Sequence, residues 1–82
     1  MEEDTLRLLI RRKLVDGTLP HDSIPRFWGG PAAGEECDAC EALISADQIL
    51  LEGISSVTKR GYQFHVTCLS IWDSERDVPG RT

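Results

Sequence analysis

Leu6, Leu9, Ile10 and Leu14 fall on one stripe of a 3.6-residue period, so residues 4–15 read as a helix. Leu8 and Val15 broaden that stripe. Glu2, Glu3 and Asp4 lie at its start and Arg11, Arg12 and Lys13 at its end, the order the helix dipole favours. Asp16-Gly17 supplies the stop, with Gly17 as a left-handed cap. From Thr18 to Gly34 no period is sustained, because Pro20, Pro25, Pro31 and three glycines interrupt it. Ile24, Phe27 and Trp28 are too hydrophobic for a solvated linker, so 18–34 reads as an irregular segment packed on the rest. Gln48 to Ile54 reads as a strand and Tyr62-Gln63-Phe64 as a second, with Gly61 as a positive-φ turn residue between them. Val66, Leu69 and Trp72, at i, i+3 and i+6, then give a helix from about Val66 to Arg76. Asp77 to Thr82, with its Pro79-Gly80, reads as a frayed tail.

These elements make a small single α+β domain over residues 1–82. An N-terminal helix (4–15) and the irregular segment (18–34) pack on a C-terminal unit (37–76), with the tail (77–82) beyond. Composition changes this picture in one respect. Hydrophobic residues are 40% and charged residues 28%, which is ordinary globular usage, but aromatics are only 6%. An 82-residue chain with so few large side chains needs a staple. The longest apolar runs are three residues, Leu8-Leu9-Ile10 among them, too short for a membrane-spanning helix. Met1-Glu2-Glu3-Asp4 has the wrong charge for a signal peptide, and the expected location is cytoplasmic. The formal charge is −5; residues 1–30 are balanced and the acidic excess lies in 31–82. That charge speaks against nucleic acid and anionic membranes as partners.

The candidate chemistry is Cys37-x2-Cys40-x24-His65-x2-Cys68, which uses every cysteine and one of the two histidines. Zinc takes four such ligands in a tetrahedron, commonly as two close pairs. His65 and Cys68, at i and i+3, face the same way at the entry to a helix, and the strand pair in between brings the two ligand pairs together. Three cysteines cannot complete a disulfide framework, and a redox Cys-x2-Cys belongs on a βαβ unit this chain does not build. Four protein ligands close the coordination sphere, whereas catalytic zinc keeps a position for water. The expectation is one structural Zn2+ held by Cys37, Cys40, His65 and Cys68. His21 and Asp22 lie on an irregular loop without ligand spacing, and no catalytic constellation appears, so no enzyme is expected.

The ligand pairs, the strand pair and the helix entered by Phe64-His65-x2-Cys68-Leu69 resemble a treble-clef zinc module, in particular the first half of a LIM domain. A full LIM domain would place two further cysteines at Ile71 and Ser74, so its second zinc does not carry over. A longer pattern resembles a family of small, uncharacterised bacterial zinc-binding proteins. It runs from Leu6, Arg11-Arg12-Lys13-Leu14 and Gly17-x-Leu19-Pro20 through Trp28-x-Gly30-Pro31 to Trp72-x2-Glu75-Arg76. That resemblance implies a zinc-module fold of bacterial origin and no activity.

The functional expectation is a zinc-stabilised interaction module that binds a protein partner. The alternative is a nucleic-acid-binding or regulatory zinc finger using Arg7, Arg11, Arg12 and Lys13. Those four read as a solvated, dipole-matched face, and Trp28 and Trp72 read as core or half-buried packing residues.

Overall fold

The computed structural model describes residues 2–22 and 24–76, so the expected tail at 77–82 lies outside the described residues. The chain is α+β, with helix α1 (Glu3–Asp16), strands β1 (Phe27–Pro31), β2 (Ile49–Ile54) and β3 (Gly61–Phe64), and helix α2 (Val66–Arg76). The strands form one antiparallel sheet in the order β1-β2-β3.

α1 follows its pattern. Leu6, Ile10 and Leu14 are buried, and Gly17 ends the helix at φ +85°, a conformation that costs a side-chain-bearing residue steric strain. Leu8 and Val15 do not broaden the buried stripe; both are exposed. Lys13 lies on it instead.

Within the segment expected to be irregular, residues 27–31 pair with β2 as an edge strand. Gly29, Gly30 and Pro31 are poor strand formers, and the pairing partner overrides that local preference. Phe27 sits opposite Gly53, where a Cβ would come within 2.8–2.9 Å of Ile24 and Phe27 side chains. Glycine there lets the aromatic ring lie close to β2. Trp28 points the other way and is 50% exposed, so of the two tryptophans only Trp72 enters the core and Trp28 is half-buried.

The turn between β2 and β3 is built around buried Ser55. Its hydroxyl donates to Asp22 Oδ2 at 2.8 Å and accepts from the Val57 and Thr58 amides at 3.1 Å. The positive φ falls at Lys59 (+63°) and not at Gly61, because Lys59 N–H donates back to the Ser55 carbonyl at 3.0 Å.

The core is a three-ring cluster with aliphatic flanks. Phe64 stacks on Trp72 with centroids 5.5 Å apart, and Phe27 meets both rings edge-on at 6.2 and 6.3 Å. Trp72 Nε1 donates to the Pro20 carbonyl at 3.0 Å, which ties the loop after α1 to α2. α2 therefore packs against α1 on one side and against β2 and β3 on the other.

Candidate metal centre

The first ligand pair sits on a tight backbone loop. The Cys37 amide donates to the Ala42 carbonyl at 2.9 Å, Glu41 N–H donates back to the Cys37 carbonyl at 2.9 Å, and Glu36 bridges Leu43. Asp38 stitches this loop to the outer edge of β3: its amide donates to the Gln63 carbonyl at 2.8 Å, and its carboxylate accepts from the Gln63 amide at 2.7 Å. The second pair comes from the residue before α2 and its first turn, where Leu69 N–H donates to the His65 carbonyl at 3.0 Å.

These elements bring one ligand atom from each of Cys37, Cys40, His65 and Cys68 within 4.8 Å of all the others. His65 Nδ1 lies 3.4 Å from Cys40 Sγ and 3.8 Å from Cys68 Sγ. A tetrahedral zinc with ordinary bond lengths separates sulfur from nitrogen by about 3.6 Å and sulfur from sulfur by about 3.8 Å. The donor set and its spacing therefore fit one metal ion, and they fit zinc. His65 Nε2 lies 3.2 Å from the Leu43 carbonyl, where an Nε2–H donates. That outer hydrogen bond leaves the Nδ1 lone pair for the metal and fixes the ring.

The electrostatics ask for a cation. A hydrogen bond from the Cys68 thiol pulls Cys37 down to about 4. The same bond, with burial, pushes Cys68 up, and burial raises Cys40. One sulfur ionises at the expense of its neighbours, since three thiolates this close repel one another. A divalent cation between them removes that conflict.

Two contributors, Lys13 and Glu41, lie outside the expected ligand set. Lys13 is only 8% exposed, and its ammonium donates to the Asp38 carbonyl at 2.8 Å and pairs with Glu41 at 3.0 Å. It is not part of a solvated face; it binds the ligand loop itself. Glu41 holds φ +69°, a left-handed conformation costing a non-glycine residue about 1–2 kcal/mol. Its amide bond to Cys37 and its ion pair with Lys13 oppose that cost. A sequence signal for Lys13 existed, since residue 13 is seven on from Leu6 and three on from Ile10, on the buried stripe.

Arg7 and Arg11 are not free in solvent either. Arg7 Nη1 donates to Glu75 Oε2 at 2.8 Å and Arg11 Nε to Glu75 Oε1 at 2.7 Å, and these bonds raise both guanidiniums above their ordinary value. His21 and Asp22 stand apart from the cluster. His21 Nε2 lies 2.6 Å from the Leu14 carbonyl, and Asp22 serves Ser55.

No family model, curated protein or solved structure matches this chain. What the fold and the site define together is a small α+β protein with a Cys3His cluster positioned to bind one metal ion. Among the described residues no helix is long and apolar enough to cross a membrane.

Proposed function

We propose that this chain is a zinc-stabilised interaction module without catalytic activity, in which one structural Zn2+ joins the ligand loop to α2. The observation that carries the reading is the four-membered donor set: one ligand atom from each of four side chains lies within 4.8 Å of the others. Four is the number a closed structural zinc site uses and one more than a catalytic site gives its metal. A ligand loop, a hairpin and a helix in that order support the treble-clef-like description, although Ile71 and Ser74 stand where a LIM domain would begin its second site. A zinc held this way contributes about 10–16 kcal/mol in small peptides, more than a domain of this size needs.

The nucleic-acid alternative loses support from the ion pairs on α1. Arg7 and Arg11 are engaged by Glu75 and Lys13 by the ligand loop, which leaves Arg12 as the one cation of that run without an ion pair among the described residues. A protein partner is the reading that remains.

Native mass spectrometry of the purified chain tests the metal: one zinc per chain is expected, and a metal-free, fully folded protein would end the proposal. Titration with random-sequence DNA and RNA at low salt tests the partner class. No binding is expected, and tight, salt-sensitive binding would favour the alternative.

A further inference from the structure

α2 lies over β2 and β3 and meets β1 at Phe27, whose ring packs edge-on to Trp72, without covering the rest of that strand. The result is a trench along the outward side of α2. Its larger part, about 460 Å³, is floored by Phe27 and Leu51 and walled by Val66 and Leu69, and it ends at Asp73. A second hollow, about 310 Å³, shares Val66 with the first and is lined on its other sides by Asp47, Ile49 and the metal-centre residue His65. Val66, Leu69, Ser70 and Asp73 are at i, i+3, i+4 and i+7, one stripe of a helix. Ile49 and Val66 are each more than half exposed. An apolar surface of this kind, rimmed by polar groups, is characteristic of a docking site.

Shape and charge select the occupant. The space between a helix wall and an uncovered strip of sheet is what one more helix fills when it packs beside α2, completing the layer. The rim is acidic at both ends, and neither part of the trench is lined by a lysine or arginine. Asp73 is ion-paired with Arg76 at 2.7 Å, whereas Asp47 makes no ion pair among the described residues and is the rim charge open to a partner. The chain carries −5, and zinc on three thiolates makes this −5 − 3 + 2 = −6. A second copy, an anionic bilayer and a nucleic acid are all repelled by that charge, and a basic segment is attracted.

We propose that this trench docks a basic amphipathic helix of a protein partner. The inference rests on the interaction-module reading and adds its surface and the chemistry of its partner.

The test uses the zinc-loaded full chain and a fluorescent 15-residue probe helix with leucines on one stripe and lysines elsewhere, followed by anisotropy. Asp47→Lys with Asp73→Lys should weaken binding by at least about ten-fold at low salt, because each change sets a positive charge where a negative one stood. Val66→Ser should weaken it several-fold, and Leu8→Ser on α1 should leave it unchanged. Zinc content and circular dichroism confirm that each variant folds. Equal binding of a scrambled probe or of its glutamate counterpart would overturn the proposal. So would a dimer in sedimentation that Val66→Ser dissociates, which would give the trench to a second copy. A protein partner captured equally by wild type and by the double lysine variant would sink the trench and leave the interaction module standing. Nucleic-acid binding that survives physiological salt would instead sink both.

Discussion

At the start of α2, His65 and Cys68 turn toward Cys37 and Cys40 and leave a space for a cation the chain does not itself supply. At its end, Glu75 is 3% exposed and meets cations the chain does supply, Arg7 and Arg11 of α1. Both ends gather charge out of water, and both hold one helix to a distant part of the sequence. They differ in how failure spreads. The metal end is a single centre with four spokes, so losing any spoke loses the ion and with it the attachment of the loop. The carboxylate end is a clamp with two jaws over a core already packed by Phe27, Phe64 and Trp72. Losing the carboxylate weakens that end without unmaking it.

The largest effect should come from Cys68→Ser or Cys40→Ser. Zinc affinity is folding free energy in a domain this small, so either change should abolish zinc binding and melt the hairpin and α2 together. Zinc content and far-ultraviolet circular dichroism, read on the same sample, check this. Acid should reproduce it. Without a cation, Cys68 and Cys40 hold their protons most tightly and Cys37 holds its thiolate down to about 4. Protons and zinc compete for the same three sulfurs, and the metal must displace them from Cys40 and Cys68 to bind. Zinc is bound at neutral and alkaline pH and lost on acidification. A Cys68→Ser protein that kept its zinc would show that the two ends of α2 are held alike.

Glu75→Ala is the matching cut at the other end. The buried carboxylate accepts from two guanidiniums, and charged hydrogen bonds of this kind are worth about 2–3 kcal/mol when one partner is removed. The melting temperature should fall, while zinc stoichiometry stays at one per chain. Loss of zinc from Glu75→Ala would erase the distinction between the ends.

Only one of these two ends was legible in the sequence. The cysteines and histidine announce themselves by spacing within short segments, and nothing else in the chain competes for them. Glu75 and its arginines are 64 and 68 residues apart and carry no spacing signal, so Arg7 and Arg11 read as a solvated face. α1, β2, β3 and α2 form where their patterns place them, although α2 buries Cys68, Ile71, Trp72 and Glu75 and leaves Val66 of its expected stripe exposed. β1 does not, because an edge strand of Phe-Trp-Gly-Gly-Pro is made by its partner β2 and not by its own preferences. Whether Trp28 would be core or half-buried stayed open for a related reason: alternation along a strand that had not been recognised decides which way its ring points.

Lys13 joins the two regions, since it belongs to the helix that clamps Glu75 yet touches the ligand loop. Lys13→Met keeps the length and apolar stem and deletes the charge, which leaves the Asp38 carbonyl and Glu41 without their cation. Outer partners of a metal site are worth about 10–100-fold in affinity, and the exposed Glu41 can regain water, so about ten-fold is expected. Competition against a chromophoric chelator measures it. An unchanged affinity would separate α1 from the metal end altogether.

The smallest effect should be Arg12→Glu, and its contrast with Arg11→Glu locates the boundary of the clamp. The two arginines are adjacent in sequence and face the same local helix dipole, so a purely local account predicts similar losses for both. Their surroundings differ. Arg11 donates from Nε to a buried carboxylate at 2.7 Å, and a glutamate there would set like charge against Glu75. Arg12 is exposed beside Thr5, Leu8 and Leu9 and makes no ion pair among the described residues. Arg12→Glu should therefore change stability by no more than about 0.5 kcal/mol, while Arg11→Glu should lower the melting temperature clearly. Neither should alter zinc content, because Arg11 bonds to Glu75 and Arg12 is exposed, and neither bonds to the ligand loop among the described residues. Equal shifts from the two reversals would mean that dipole matching, and not the Glu75 clamp, is what the basic residues of α1 contribute.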